Sequence, residues 1–158
     1  MKKSTKFLVR TAVIAAIYAT ITLVVYPLSY GAIQVRFSEA LTLLPLLLPE
    51  AIPGLAIGCL LANIPMGIWD MLIGTVATLL ASIFTRLVKN PFLGAVMPVV
   101  FNAFLVPVIF LTMPNMTSSY WVNVLTVGLG ELISVFALGL PLYFGLKKAQ
   151  NKFPSLLG

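Results

Sequence analysis

Gln34-Val35-Arg36-Phe37-Ser38-Glu39-Ala40-Leu41 is the stretch on which the reading of this chain turns. It lies between two hydrophobic blocks, yet it carries a cation and a carboxylate three residues apart, Arg36 and Glu39, which share one side of a helix or helical turn. Ser38 is suited to cap a helix. Glu39 then falls in the first turn, where a carboxylate complements the helix dipole. Two readings stand side by side: a capped helix start with a local ion pair, or a polar segment that the surrounding apolar helices present to a small polar molecule.

The surroundings decide the class. The 158 residues are 60% hydrophobic and 9% charged, with mean hydropathy +1.07, whereas a soluble domain carries about 25% charged residues. This is the composition of an all-α integral membrane protein, one transmembrane domain over 1–158, with no room for a soluble domain. The net charge of +6 does not point to nucleic acid, because the basic residues are bunched: Lys2, Lys3, Lys6 and Arg10 at one end, Lys147, Lys148 and Lys152 at the other, Arg86 and Lys89 in one loop. Basic loops flank membrane spans in this way. The chain has one cysteine, Cys59, and no histidine, so an internal disulfide is excluded and a Cys/His metal site has no ligands. No metal and no cofactor is expected.

The first span, about 7–25, follows a basic start but runs too long for a signal peptide and reads as uncleaved. Ala12/Ala16 and Ala15/Ala19 are overlapping small-xxx-small pairs on it. Periodicity alone favours packing within the bundle; the sharper reading is docking to a separate protein. A loop over 26–37 follows, placed to act as a lid. The further spans are expected at about 38–49, 51–67, 70–87, 91–111 and 121–146. Pro45 and Pro49 bend or end the second, Gly54, Gly58 and Ala62 form one face of the third, and Asn90-Pro91 starts the fifth with an N-cap and a first-position proline.

Residues 38–67 hold two short spans, one span, or a re-entrant element, and parity chooses between them. With the N-terminus inside, two spans make six crossings, put both termini in the cytoplasm and turn nine of the ten basic residues inward, Arg36 excepted. Arg36, Glu39 and Asp70 then lie at the outer side, with Asn63, Asn102 and Glu131 in the outer half of the membrane. An acid at bilayer depth costs about 2.5–3.5 kcal/mol and usually faces a cavity or a partner. A pocket open to the outside is therefore expected. Carboxylates and amides with few cations suit a ligand rich in N–H donors, since a carboxylate accepts two parallel bonds from an amidine-like edge such as that of guanine. Trp121, with Trp69 and Tyr120, is placed to stack on a flat ring or to anchor at the interface. No phosphate-binding glycine loop and no catalytic triad is present, so the chain neither hydrolyses ATP nor reads as an enzyme.

Ala-Ile-Gln-Val-Arg-Phe-Ser-Glu-Ala-Leu-Thr-Leu-Leu-Pro (Ala32 to Pro45), Ala-Ile-Pro-Gly-Leu-Ala-Ile-Gly-Cys-Leu-Leu-Ala-Asn (Ala51 to Asn63) and Asp70-Met-Leu-Ile-Gly-Thr-Val-Ala-Thr-Leu-Leu-Ala (to Ala81) together resemble the QueT family. The resemblance runs over nearly the whole chain. It implies a substrate-binding S component of an energy-coupling factor (ECF) transporter in a bacterial cell membrane, capturing a queuosine precursor, a 7-deazaguanine such as preQ1 or preQ0. It implies docking on a transmembrane coupling subunit energised by two cytoplasmic ATPases. It also favours docking over internal packing for Ala12, Ala15, Ala16 and Ala19. An S component for another solute or vitamin and a stand-alone proton-coupled carrier are the competing readings.

Overall fold

The computed structural model describes residues 3–29, 35–112 and 119–152. Residues 30–34 of the predicted lid, Gln34 among them, and the 113–118 part of the loop before Tyr120 lie outside the described residues. The described chain is helical throughout. α1 spans Lys3–Val24 and α2 is a single turn, Tyr26–Ser29, inside the segment expected as loop; a 3-10 helix, Phe37–Leu46, comes next. α3 (Ala51–Ala62), a 3-10 turn (Ile64–Met66), a π-helical turn (Asp70–Gly74) and α4 (Thr75–Val88) follow. The chain ends in α5 (Pro91–Leu105), α6 (Pro107–Leu111), α7 (Tyr120–Leu132), a π-helical stretch (Ile133–Gly139) and α8 (Leu140–Lys152).

Among the described residues four helical runs are long and apolar enough to cross a membrane: Ser4–Val24, Asp70–Val88, Pro91–Phe110 and Tyr120–Lys152. These correspond to the first, fourth, fifth and sixth expected spans. The sixth extends further toward the C-terminus than expected, and the fifth is stepped at Val106. Pro107 has no N–H to continue the helix there, and Val106 N–H still reaches the Asn102 carbonyl at 3.0 Å.

The second and third expected spans depart from membrane length. At 2.0 Å per residue the 3-10 helix covers about 20 Å, and α3 at 1.5 Å per residue covers about 18 Å, against about 30 Å of hydrocarbon. The 3-10 helix is tolerated because protein surrounds it: Ser38, Glu39, Ala40, Thr42, Leu43, Leu44 and Pro45 are all buried, while α3 buries one face and leaves Ile57 and Leu61 exposed on the other. The extended 3-10 rise carries ten residues further than an α-helix would, and this lets a short segment form the axis of the molecule.

Contacts fix the direction of each pass. Thr22 Oγ1 bonds Ser38 Oγ at 2.6 Å near one end of α1, and Thr11 Oγ1 donates to the Glu50 carbonyl at 3.3 Å near the other. The 3-10 helix thus runs antiparallel to α1. α3 returns parallel to α1, with Gly54 against Thr11 and Ile14, and Gly58 against Ala15 and Tyr18. A Cβ on Gly58 would lie 2.8 Å from Tyr18 Cβ, so only glycine permits this approach. α4 runs back, Gly74 packing on Asn63 at one end and Arg86 Nη1 donating to the Pro45 carbonyl at 2.6 Å at the other. α5 reverses again behind the Asn90 cap, which accepts from Phe92 and Leu93 N–H. The last run lies antiparallel to α5, through Gly128 on Ala103 and Phe144 on Phe92, ring centroids 6.0 Å apart.

Candidate functional site

Glu39 is wholly buried in the first turn of the 3-10 helix. Its Oε1 accepts a short hydrogen bond from the Tyr18 hydroxyl, and its Oε2 accepts from Asn102 Nδ2 at 3.5 Å. The Thr42 hydroxyl closes on the Glu39 carbonyl at 2.6 Å. Three elements, α1, the 3-10 helix and α5, therefore meet at one carboxyl. The chain of bonds continues along α1: Thr22 Oγ1 to the Tyr18 carbonyl and to Ser38, Ser29 Oγ to the Thr22 carbonyl, and Arg36 Nε to the Ser29 carbonyl at 3.3 Å. Arg36 is itself buried and joins the two ends of the predicted lid.

Glu131, on α7, is buried in the same neighbourhood and interacts with Asn102, Glu39 and Arg36. Among the described residues its Oε2 has no hydrogen-bond partner. A buried carboxyl oxygen left in this way costs roughly 1–3 kcal/mol or more. It stands just before the π-helical stretch, a geometry found mostly at functional sites. The structure thus brings Glu39, Asn102, Glu131 and Arg36 together.

The other expected site residues are Asn63, Asp70 and Trp121. Asn63 caps the end of α3; its Nδ2 donates to the Asp70 carbonyl at 3.0 Å and approaches Cys59 Sγ at 3.4 Å, bonds that fasten α3 to the start of the next pass. Asp70 is partly exposed and linked to the cluster through the charge of Arg36. Trp121 is 66% exposed and rests edge-on against Tyr120, whose hydroxyl bonds the Phe104 carbonyl at 2.8 Å. This disposition suits an aromatic at the membrane interface. The small face of α1 is also divided. Ala15 and Ala19 are buried, Ala15 directly against Gly58, whereas Ala12 and Ala16 are exposed.

Tyr18 is the residue that the sequence reading missed. In an apolar span a tyrosine passes for packing, but Thr11, Tyr18 and Thr22 recur at intervals of seven and four, a buried polar stripe on one helix face. Among the described residues no group of His, Cys, Asp or Glu is arranged to hold a metal ion.

Asn102 and Glu131, buried within membrane-length helical runs, together with Glu39 buried on the short 3-10 helix, mark a multi-pass membrane protein with a polar interior, the arrangement of proteins that carry or capture polar solutes. A family model described as QueT transporter matches residues 8–148, and the chain belongs to that transporter family, which is not a family of enzymes. No curated protein and no solved structure matches the chain.

Proposed function

We propose that this chain is the substrate-capturing S component of an ECF importer in a bacterial cell membrane. It takes up a 7-deazaguanine such as preQ1 or preQ0 from outside and crosses the membrane six times, with both termini in the cytoplasm. The alternating passes and the gathering of Arg10, Glu50, Arg86 and Lys147 toward one end support that topology. The observation that carries the substrate class is the pair of buried carboxyls, Glu39 and Glu131, with Asn102 between them. Acceptors so placed match an amidine-like ring edge or an aminomethyl cation.

Substrate replaces Tyr18 or Asn102 on Glu39 and supplies the missing donor to Glu131. Asn102 reads the ring, Arg36 holds the base of the 26–37 segment, and Asn63 and Asp70 shape the adjoining wall. Exposed Ala12 and Ala16 offer the coupling subunit a flat surface that Ala15 and Ala19, packed inward, do not.

Calorimetry of preQ1 with the purified chain in detergent tests the substrate, with preQ0, guanine and riboflavin alongside. Tight binding of a deazapurine and none of riboflavin is the expected result. A folded chain that binds no deazapurine removes the substrate assignment and leaves the family standing.

A further inference from the structure

A second feature lies at the opposite end of the bundle from the carboxyl cluster. A groove of about 450 Å³ opens between the end of the 3-10 helix, the start of α3 and the end of α4. Leu46, Ile52, Ile83 and Leu87 form its apolar walls, and Arg86 and Lys89 stand with them. Both cations are exposed. One guanidinium N–H of Arg86 is fixed on the Pro45 carbonyl at 2.6 Å, which orients the planar group and leaves its other donors for a second acceptor. Lys89 ends α4 in a left-handed conformation, φ 61° and ψ −13°, which breaks the helix and turns the chain toward Asn90.

Acid is scarce around this groove. The chain has four carboxylate side chains in all. Glu39 and Glu131 belong to the buried cluster, and Asp70 begins the pass that Arg86 ends. Glu50, the one acid at the groove's end of the bundle, is bonded to Arg10 at 3.2 Å. The groove therefore joins apolar walls to two cations that no neighbouring acid balances. By the orientation proposed above it lies at the cytoplasmic edge of the hydrocarbon, beside the leaflet that carries anionic lipid.

We propose that this groove binds one anionic glycerophospholipid. Its phosphate lies between Arg86 and Lys89, and the upper part of an acyl chain lies along Leu46, Ile52, Ile83 and Leu87. Guanidinium and ammonium are a matched pair for a phosphate monoanion: Arg supplies paired N–H donors and Lys a point charge. A soluble anion would gain nothing from the four apolar walls, so the committed occupant is the lipid.

Native mass spectrometry of the full chain, released from nanodiscs, tests this. Phosphatidylglycerol and phosphatidylcholine with identical acyl chains are offered at equal amounts. One phosphatidylglycerol should be retained at least about ten-fold over phosphatidylcholine, and Arg86→Gln/Lys89→Gln should bring the two to parity. Lys147→Gln/Lys148→Gln, which removes the same charge from α8, should leave the preference intact. Ile52→Trp fills the groove while keeping both cations and should also abolish retention; it decides the matter if the double glutamine variant fails to fold. Equal retention of both lipids by the unmodified chain overturns the proposal. So does a preference that survives Arg86→Gln/Lys89→Gln or Ile52→Trp, or one lost equally in the α8 variant. Deazapurine binding is read separately, so failure here leaves the transport reading untouched.

Discussion

Glu39 and Glu131 are both carboxyls sealed inside the bundle, but the regions that hold them are built differently. Glu39 sits on a seam where α1, the 3-10 helix and α3 interlock. Gly54 and Gly58 bring α3 against α1, and hydrogen bonds run without a break from Arg36 through Ser29, Thr22 and Tyr18 to the carboxyl. Glu131 sits where α7 passes into π-helix, and one of its oxygens has no partner among the described residues. Both oxygens of Glu39 are hydrogen-bonded, and among the described residues one oxygen of Glu131 is not. A site that recognises a solute needs both qualities. A pre-set frame reduces the ordering cost of binding, and unmet hydrogen-bonding capacity favours the ligand over the empty state.

The comparison breaks most easily at Glu39. Glu39→Ala removes the acceptor shared by Tyr18 and Asn102 and should weaken deazapurine binding by about 100-fold or more, about 2.7 kcal/mol. Calorimetry reads the loss. Glu39→Gln, of the same size, separates charge from packing, because its amide presents a donor where the ligand expects an acceptor. Unchanged affinity in both variants, with the chain folded, takes Glu39 out of the site.

The rigidity of the seam is tested apart from chemistry. Gly58→Ala puts a methyl 2.8 Å from Tyr18 Cβ and 2.9 Å from the Ala15 carbonyl oxygen. Backbone cannot swing aside as a side-chain tip can, so the substitution should cost about 1–3 kcal/mol of stability. Gly145→Ala, on α8 with nothing within 4 Å of the new methyl, should have the opposite sign, gaining up to about 1 kcal/mol from helix propensity. Thermal unfolding of both variants in one detergent compares them. Equal midpoints would mean that α1 and α3 are not held by this approach.

How much of this was legible in the sequence follows from what each side chain must do. Glu39, Asn102 and Glu131 stood out because polar groups are expensive at bilayer depth, and that expense gathers them in space whatever the details of the fold. The glycine stripe of α3 was legible for a similar reason, since small residues at four-residue spacing mark a close helix contact; which helix they met was not. Trp121 carried an ambiguous signal, because an aromatic residue at headgroup level serves a ring platform and an interfacial anchor equally well. Asn63 looked like a buried reader of ligand, yet an amide at a helix end can equally cap it and fasten the next pass. The 3-10 geometry and the π-helical stretches had no signal, since they arise from the distance that neighbouring elements require and not from local propensity. The two prolines near the 3-10 helix announced only a bend.

On the adaptable side the expected effect is smaller. Glu131→Gln keeps the shape but puts an amide where the unpartnered carboxyl oxygen stands, a difference of roughly 1 kcal/mol. Binding should fall by about five-fold. Because the ligand supplies a donor that the free protein lacks, the loss should appear in affinity and not in thermal stability of the empty chain. A variant that is destabilised without ligand, with affinity unchanged, would make Glu131 a strut of the fold and return the two halves of the cluster to equal standing.

The smallest effect on binding should come from the outer side of the seam. Ala12 and Ala16 lie on the helix that carries Tyr18, but they face away from the bundle. Ala12→Leu/Ala16→Leu adds bulk where nothing in the chain is packed, so deazapurine affinity should stay within about two-fold. Co-purification with the coupling subunit and its ATPases should nevertheless be lost, because a flat helix face admits close approach and a leucine ridge does not. Ala15→Leu gives the converse result: it pushes on Gly58 and costs stability before docking is reached. If the exposed pair tolerates leucine with the complex intact, docking uses another surface, and α1 serves the seam alone. If the complex is lost while binding holds, then a single helix presents Tyr18 to the substrate and alanine to the partner. The rigidity of the seam is then the physical means by which an occupied site is sensed at the docking face.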